Sequence, residues 1–183
     1  MAELVIFHHA LGLTDDVVAL ADTLRAAGHT VHAPDLYDGH TFGTLDEGVA
    51  HAESVGFPTI LARGRRVTDP LAVDLVYIGL SLGVLPAQLL AQTRPGARGA
   101  VLAHSCVPPE EFGDGWPVGV PLQLHMTEED PLSLPPNGDL AAARAFADNG
   151  AELFLYPGSG HLFDAPTTAR FIERVHAFLS RLN

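Results

Sequence analysis

The chain has 183 residues, of which 47% are hydrophobic and 17% are charged, and these values are typical of one compact domain rather than a disordered chain. Its 22 acidic residues outnumber its 10 basic ones and give a formal net charge of -12 at pH 7, which excludes nucleic acid and acidic membrane surfaces as expected partners. We therefore expect a single domain over residues 1–183.

The N-terminal segment and the cysteine content indicate a cellular compartment. The chain opens with the strand-like run Leu4-Val5-Ile6-Phe7 and shows no basic segment or cleavage site of a signal peptide. No apolar run reaches the roughly 18 to 20 residues that a membrane span needs. The single cysteine, Cys106, cannot form an internal disulfide and suits a reducing compartment. The expectation is a cytoplasmic protein without a membrane partner.

Short β-rich runs alternate along the chain with longer stretches of helical periodicity, which is the pattern of βα units on a parallel sheet. Strands are predicted at residues 4–8, 30–33, 75–79, 99–103, 121–125 and 152–156. Helices are predicted at residues 14–27, 44–55, 82–92, 138–149 and 167–182. Residues 58–73 have no clear assignment. The pattern predicts an α/β fold with a mostly parallel sheet of about six strands and helices on both faces.

A Gly-x-Ser-x-Gly motif directly follows the third predicted strand, in the segment Gly79-Leu80-Ser81-Leu82-Gly83. In a nucleophile elbow the glycines allow a sharp strand-to-helix turn and a close approach of neighbouring elements, and the serine hydroxyl is lifted out at the strand end. Because a five-residue match also arises by chance, the assignment of Ser81 as a nucleophile depends on partners elsewhere in the chain.

Two later strand ends supply the partners that a nucleophilic serine needs, a base that takes its proton and a carboxylate that orients this base. The fifth predicted strand is followed by three acids, Glu128, Glu129 and Asp130, and the sixth by a glycine-rich turn that ends at His161. The order serine, acid, histidine is the order of an α/β-hydrolase. The residues alone leave open which of the three acids serves.

Backbone amides are the expected donors to the oxyanion that forms during acyl transfer. The amide of Leu82 follows the nucleophile at a helix N-terminus, and an amide near Ala10 lies in the loop after the first strand. Ligands of parallel sheets bind outside the carboxyl ends of the strands, so other side chains on these loops are candidates for a substrate pocket, with packing as the alternative role of each. They are His9, Leu11, Tyr37, His104, Phe112 and Trp116.

Four segments spread over the chain resemble the dienelactone hydrolase family of α/β-hydrolases. The Pro-Asp-Leu-Tyr and Tyr-Pro-Gly-x-Gly-His matches are more specific to this family than the elbow is. The four segments are Phe-His-His-Ala-Leu-Gly at residues 7–12, Pro-Asp-Leu-Tyr-Asp-Gly at 34–39, the elbow at 79–83, and Tyr-Pro-Gly-Ser-Gly-His at 156–161.

The resemblance implies a parallel-sheet hydrolase core without a cap domain, and it implies a role for five residues. Ser81 would be the nucleophile, Asp130 the acid and His161 the base, with oxyanion amides at Ala10 and Leu82. The chain departs from the family in carrying serine where the nucleophile is typically cysteine. Serine depends more heavily on its base, so activity should fall as His161 is protonated.

The chain also lacks the arginines with which lactone-binding members of the family look to hold a substrate carboxylate. His161 is followed by Leu162-Phe163-Asp164-Ala165, and residues 38–56 contain no arginine. A carboxylate substrate would lack its bidentate partner. We therefore expect a small neutral ester or lactone as the substrate, cleaved through an acyl-enzyme intermediate without a cofactor.

Two other classes of function stay open. One is a non-catalytic small-molecule-binding protein that keeps the hydrolase scaffold, because fold does not fix function. The other is a metal site built on His8 and His9. Adjacent residues of a strand point to opposite faces, so this pair is poorly placed to chelate one ion, and we expect no metal.

Overall fold

A computed structural model describes residues 1–182 and has a parallel β-sheet at its centre. Its strands are β1 (Glu3–Phe7), β2 (Thr30–His32), β3 (Leu75–Leu80), β4 (Gly99–Ala103), β5 (Leu122–Thr127) and β6 (Glu152–Tyr156). Over the described residues these six strands have the order β2-β1-β3-β4-β5-β6, and every neighbouring pair is parallel.

α-Helices lie in every connection between successive strands except the one from β4 to β5. The helices are α1 (Asp15–Ala26), α2 (Leu45–Val55), α3 (Phe57–Thr68), α4 (Val84–Thr93), α5 (Asp139–Asp148) and α6 (Ala165–Arg181). The predicted α/β-hydrolase fold is confirmed, and no cap domain is present in residues 1–182. None of the helices in this range is long and apolar enough to cross a membrane.

Helix α3 lies largely in residues 58–73, the segment without a clear assignment from the sequence. Gly56, with φ of 87°, ends α2, and Pro58 stands in the first turn of α3. A Cβ atom on Gly64 would lie 2.6 Å from the Cβ of Pro86 in α4, so α3 packs on α4 through a glycine. The helical pattern is hidden because proline and glycine interrupt its periodicity.

The sheet is buried on both faces because alternate side chains of each strand enter two separate apolar cores. Val5 and Phe7 of β1 pack in one core with α2 to α5, while Leu4 and Ile6 pack in the other core with α1 and α6. Strands covered on both faces have continuous apolar sequences rather than alternating ones. The apolar runs of the sequence follow directly from this arrangement.

The strand register places three chain segments side by side at the carboxyl edge of the sheet. Phe7 pairs with Gly79 across β1 and β3, and Leu80 pairs with Ala103 across β3 and β4. Residues just beyond these pairs are His9, Ser81 and His104. The nucleophile candidate therefore stands between two histidines.

Candidate active site

Ser81 occupies a sharp turn between the last residue of β3 and the first turn of α4. Residues Ser81–Gly83 form one turn of 3-10 helix. The φ angle of Ser81 is 50°, in the left-handed region that residues with a side chain rarely adopt. Such strained residues persist where the surroundings hold them firmly, and they concentrate at functional sites.

Two glycines allow the turn by letting backbone segments meet at close range. A Cβ atom on Gly79 would lie 2.6 Å from the Cα of Val84, and one on Gly83 would lie 2.2 Å from the carbonyl oxygen of Phe7. Both contacts are with backbone, which cannot rotate away. The elbow and the end of β1 are therefore in direct contact.

The substitution Gly83→Ala should lower the free energy of unfolding by about 3 kcal/mol, because the new methyl group overpacks against the carbonyl of Phe7. Gly83 has an ordinary φ of -64°, so this clash is the cause of the loss. Urea unfolding measures the change. Gly43→Ala is the matched control, since the nearest atom to its Cβ is a Glu47 oxygen at 3.9 Å. Equal stability of the two variants would contradict the prediction.

A continuous chain of hydrogen bonds joins Ser81, His161 and Asp130. The Oγ of Ser81 lies 2.7 Å from Nε2 of His161, and Nδ1 of His161 lies 2.7 Å from Oδ2 of Asp130. Since a carboxylate can only accept, Nδ1 carries the proton and Nε2 is left to accept from the serine hydroxyl. This is the tautomer that general-base catalysis needs.

Asp130 is the one of the three acids that reaches His161. It is 1% exposed, and its carboxylate also accepts from the Leu132 N–H at 2.9 Å and from the Ser133 hydroxyl at 2.7 Å. Glu128 and Glu129 are exposed. Ser133 has no counterpart in the sequence prediction, although an acid followed three residues later by serine is a spacing that favours such a local bond.

The loop that connects β1 to α1, residues 8–14, lies against the elbow and against α2. The first contact is made at Gly83, where a Cβ atom would also lie 2.6 Å from the carbonyl oxygen of His8. The second is at Gly48 of α2, where a Cβ atom would lie 2.1 Å from the carbonyl oxygen of Ala10. The carbonyl of His9 accepts from the Gly12 N–H at 3.0 Å. These contacts hold the loop between the elbow on one side and α2 on the other.

The two histidines beside Ser81 are both buried. Nε2 of His9 lies 3.0 Å from a carboxylate oxygen of Asp16, and this hydrogen bond is the main cause that holds the pKa of Asp16 well below its ordinary value. The ring of His104 lies 5.9 Å from that of His161 and 4.0 Å from that of Phe163. Burial lowers the pKa of His104 to about 3, so its ring is neutral near pH 7.

The next two pocket candidates, Leu11 and Tyr37, make hydrogen bonds to the backbone of neighbouring segments. The carbonyl of Leu11 accepts from the Phe42 N–H at 2.9 Å. Tyr37 is 1% exposed and donates its hydroxyl to the carbonyl of Gly48 at 3.3 Å. Burial raises the pKa of Tyr37 to about 12. The contacts of Tyr37 are those of a packing residue.

Phe112 and Trp116 pack on helices rather than beside Ser81. Phe112 lines a surface cavity of about 420 Å³ between α3 and α4. Trp116 donates its indole N–H to Val120 at 2.7 Å and stands edge-on to Phe146 of α5 at 5.6 Å. These contacts give no support to a role in the substrate pocket, because the loop after β4 folds back over the helical layer.

Acid should destabilise the protein, because three fully buried histidines stay neutral in the native state. Burial is the main cause that lowers the pKa of His8, His104 and His125 from the ordinary value of 6.5. Below that pH the unfolded chain binds protons that the native state does not. Stability is therefore lost as the pH falls, by up to about 1.4 kcal/mol per pH unit for each histidine.

Urea unfolding at a series of pH values below neutrality measures this loss. The variant His125→Phe should reduce the slope of stability against pH by one histidine's share, whatever its stability at pH 7. A free energy of unfolding that does not change between about pH 7 and pH 5 would contradict the expectation, since this range includes the titration of unfolded histidine.

The comparisons with known proteins agree with this architecture. A sequence model of the dienelactone hydrolase family matches residues 2–178. A dienelactone hydrolase-like promiscuous phosphotriesterase from metagenomic libraries has a TM-score of 0.74 at 20% identity, over 100% of this chain and 87% of that chain. A protein from Xanthomonas campestris pv. campestris assigned to the α/β-hydrolase superfamily has a TM-score of 0.67 at 23% identity, over 98% of both chains.

A third similar structure is esterase PE8, with a TM-score of 0.65 at 20% identity, over 100% of this chain and 93% of that chain. A search among curated proteins gave no match. At these identities the structural likeness shows the fold alone, and the chemistry has to be argued from the site itself.

Proposed function

Because the chain belongs to the dienelactone hydrolase family, we propose that this hydrolase uses Ser81 to cleave a small neutral ester or lactone. The observation that carries the proposal is the hydrogen-bonded chain from Ser81 through His161 to Asp130, with both contacts at 2.7 Å. A base oriented by a buried carboxylate and in contact with a strained serine is the arrangement that activates a hydroxyl nucleophile.

The reaction proceeds in two acyl-transfer steps. The Oγ of Ser81 attacks the carbonyl carbon while its proton passes to Nε2 of His161, and Asp130 stabilises the imidazolium that forms. The N–H groups of Leu82 and Ala10 donate to the oxyanion. Collapse of the tetrahedral intermediate expels the alcohol, which takes the proton from His161. Water then attacks the acyl-enzyme with the same proton transfers, releasing the acid and restoring Ser81.

The charges around the site favour an uncharged substrate. The neutral ring of His104 is close enough to both His161 and the carboxylate of Asp16 to interact with them electrostatically, and Asp16 is hydrogen-bonded to buried His9. Arg63 of α3 donates to the carbonyl of Leu36 and forms an ion pair with Asp38 at 2.6 Å. A carboxylate substrate would thus meet the carboxylate of Asp16, while the guanidinium of Arg63 is already paired.

The two alternatives from the sequence predict different behaviour. A non-catalytic binding protein would keep the same scaffold and bind esters without turnover. A metal site on the histidine pair requires free ring nitrogens from both residues, but both nitrogens of His8 are hydrogen-bonded, to His9 and to Leu36. Nε2 of His9 is bonded to Asp16, so Nδ1 of His9 is the one nitrogen of the pair without a partner among the described residues. These bonds favour the serine hydrolase over a metal centre.

Labelling with a fluorophosphonate and hydrolysis of p-nitrophenyl esters test the proposal. We expect a covalent adduct at Ser81, turnover of the acetate and butyrate esters, and a kcat/KM at least about tenfold lower for an ester of equal length that ends in a carboxylate. A protein that is neither labelled nor active on any of these esters is not a serine hydrolase. A preference for the anionic ester would overturn the neutral substrate class.

A further inference from the structure

The ring of His8 is held by two backbone groups, which together fix its tautomer. His8 is fully buried. The N–H of Leu36 donates to Nε2 of His8 at 3.0 Å, and because an amide N–H can only donate, Nε2 carries no proton. The proton of the neutral ring is therefore on Nδ1. This Nδ1–H group donates to the carbonyl oxygen of His9 at 2.8 Å.

The acceptor of this bond belongs to the peptide group whose other end is the N–H of Ala10. A trans peptide is planar, and its C=O and N–H point in opposite directions. The His9 carbonyl also accepts from the Gly12 N–H at 3.0 Å. Two donors thus hold the peptide from its carbonyl side and direct the Ala10 N–H the other way. Hydrogen bonds accepted by a carbonyl polarise the amide and strengthen its N–H as a donor.

We propose that His8 is a positioning residue of the oxyanion hole, whose Nδ1–H orients and polarises the His9–Ala10 peptide so that the Ala10 N–H donates to the oxyanion. The proposal rests on the function proposed above, since it assigns that amide to the transition state. A donor fixed before the reaction stabilises developing charge without having to reorganise.

The surroundings of His8 keep the ring in this role. Tyr37 stands edge-on to it, with ring centroids 4.9 Å apart. Burial is the largest cause of the lowered pKa of His8, against which the carboxylate of Asp35 acts, 3.7 Å from Nε2. A second proton would set an Nε2–H group against the donor N–H of Leu36. The neutral ring avoids this conflict.

The tautomer of His8 is directly measurable in the wild-type protein. Long-range ¹H–¹⁵N correlation spectra of protein labelled with ¹⁵N-histidine should show protonated Nδ1 and unprotonated Nε2, unchanged between about pH 8 and pH 6, the range in which an ordinary histidine titrates. A ring protonated on Nε2, or one that titrates in this range in the folded protein, would overturn the proposal. This measurement requires no variant and no substrate.

Three variants separate positioning from a merely structural role. His8→Phe keeps a ring but removes both hydrogen bonds, and His8→Asn keeps an N–H donor near the position of Nδ1. Tyr77→Phe is the control, because it removes a different buried hydrogen bond, 3.1 Å long, to Arg94. Urea unfolding of the three variants measures how much each one lowers the free energy of unfolding, so that losses of activity can be compared at similar losses of stability.

His8→Phe should lower kcat by about 10- to 100-fold, somewhat less than the loss of a whole oxyanion donor, with KM changed less than about threefold. The affinity for a boronic acid, which forms a tetrahedral adduct on serine, should fall by a similar factor. His8→Asn should recover most of both losses, and Tyr77→Phe should show neither.

Failure of this proposal differs from failure of the proposed function. If wild-type protein cleaves esters but His8→Phe loses no more kcat or boronic acid affinity than Tyr77→Phe, the role of His8 is refuted and the serine hydrolase stands. A rise in KM at unchanged kcat refutes it as well. If wild-type protein cleaves no ester, the proposed function fails first and takes the role of His8 with it.

Discussion

Replacement of Ser81 by alanine should lower kcat for p-nitrophenyl butyrate by about 10⁶-fold, the scale seen when the nucleophile of a serine hydrolase is removed. In the proposed mechanism the hydroxyl forms the acyl-enzyme, and its one hydrogen-bonded partner in the described residues is His161, at 2.7 Å. The alanine variant loses no other described hydrogen bond of the Ser81 side chain, so the lower kcat would report the loss of the hydroxyl nucleophile. Burst-phase kinetics should show no release of p-nitrophenol.

The control for this variant is Ser54→Ala, which removes an exposed hydroxyl bonded to the carbonyl of His51 on α2. We expect its kcat to stay within about twofold of wild type, as for most surface substitutions. Circular dichroism checks that both variants fold. Retention of more than about one hundredth of the wild-type rate in Ser81→Ala would exclude Ser81 as the nucleophile.

The second large effect is expected for Asp130→Asn, which should lower kcat by about 10⁴-fold. The carboxylate accepts Nδ1–H of His161 at 2.7 Å and the Ser133 hydroxyl, also at 2.7 Å. An amide that turns its NH₂ toward Nδ1 favours the other tautomer of His161, with the proton on Nε2. That nitrogen can then no longer accept the proton of the serine hydroxyl. Initial rates at saturating ester measure the loss.

Glu128→Gln and Glu129→Gln are matched controls, because they make the same change of carboxylate to amide in the same turn. Both side chains are exposed, and their backbone N–H groups are bound to Tyr156 and Gly158. Each variant should keep kcat within about twofold of wild type. A harmless Asp130→Asn together with a large loss in either glutamine variant would move the acid to that glutamate.

The sheet could be predicted from the sequence because each strand is a short apolar run buried on both faces. The predicted and observed bounds differ by at most two residues at any strand end, as at β5, which extends to Thr127 rather than 125. Helix α3 could not be predicted. It packs on α4 through Gly64 and Pro86, which are 22 positions apart in the sequence.

The residues at the candidate site differ in how local their signals are. Ser81 and His161 could be singled out because each lies in a short motif at a strand end. The choice of Asp130 over its two neighbours depends on a turn closed by Leu132 and Ser133. The hydrogen bond between His8 and Leu36 joins residues 28 positions apart, and no local sequence pattern predicts it.

The path of the long loop after β4 was the least predictable feature of the structure. Phe112 and Trp116 lie in the loop that follows the strand ending near His104, so the sequence made them candidates for the pocket, with packing of the loop as the alternative role of each. The edge-on contact of Trp116 with Phe146 draws the loop toward α5 instead. Such a choice is decided by packing between elements that are distant in sequence, and aromatic residues suit either environment.

For protein engineering, the two glycine contacts around the β1–α1 loop mark a part of the structure that has no room for substitution, whereas the loop after β4 is less crowded. At Gly48 and Gly83 even a methyl group meets backbone at 2.1 and 2.2 Å. In the loop after β4, by contrast, a Cβ atom on Gly113, Gly115 or Gly119 would meet nothing within 4 Å, although the positive φ of each glycine would strain a side chain placed there. Insertions and sequence changes that keep these three glycines belong in that loop, where the chain has room to change without moving the amide of Ala10.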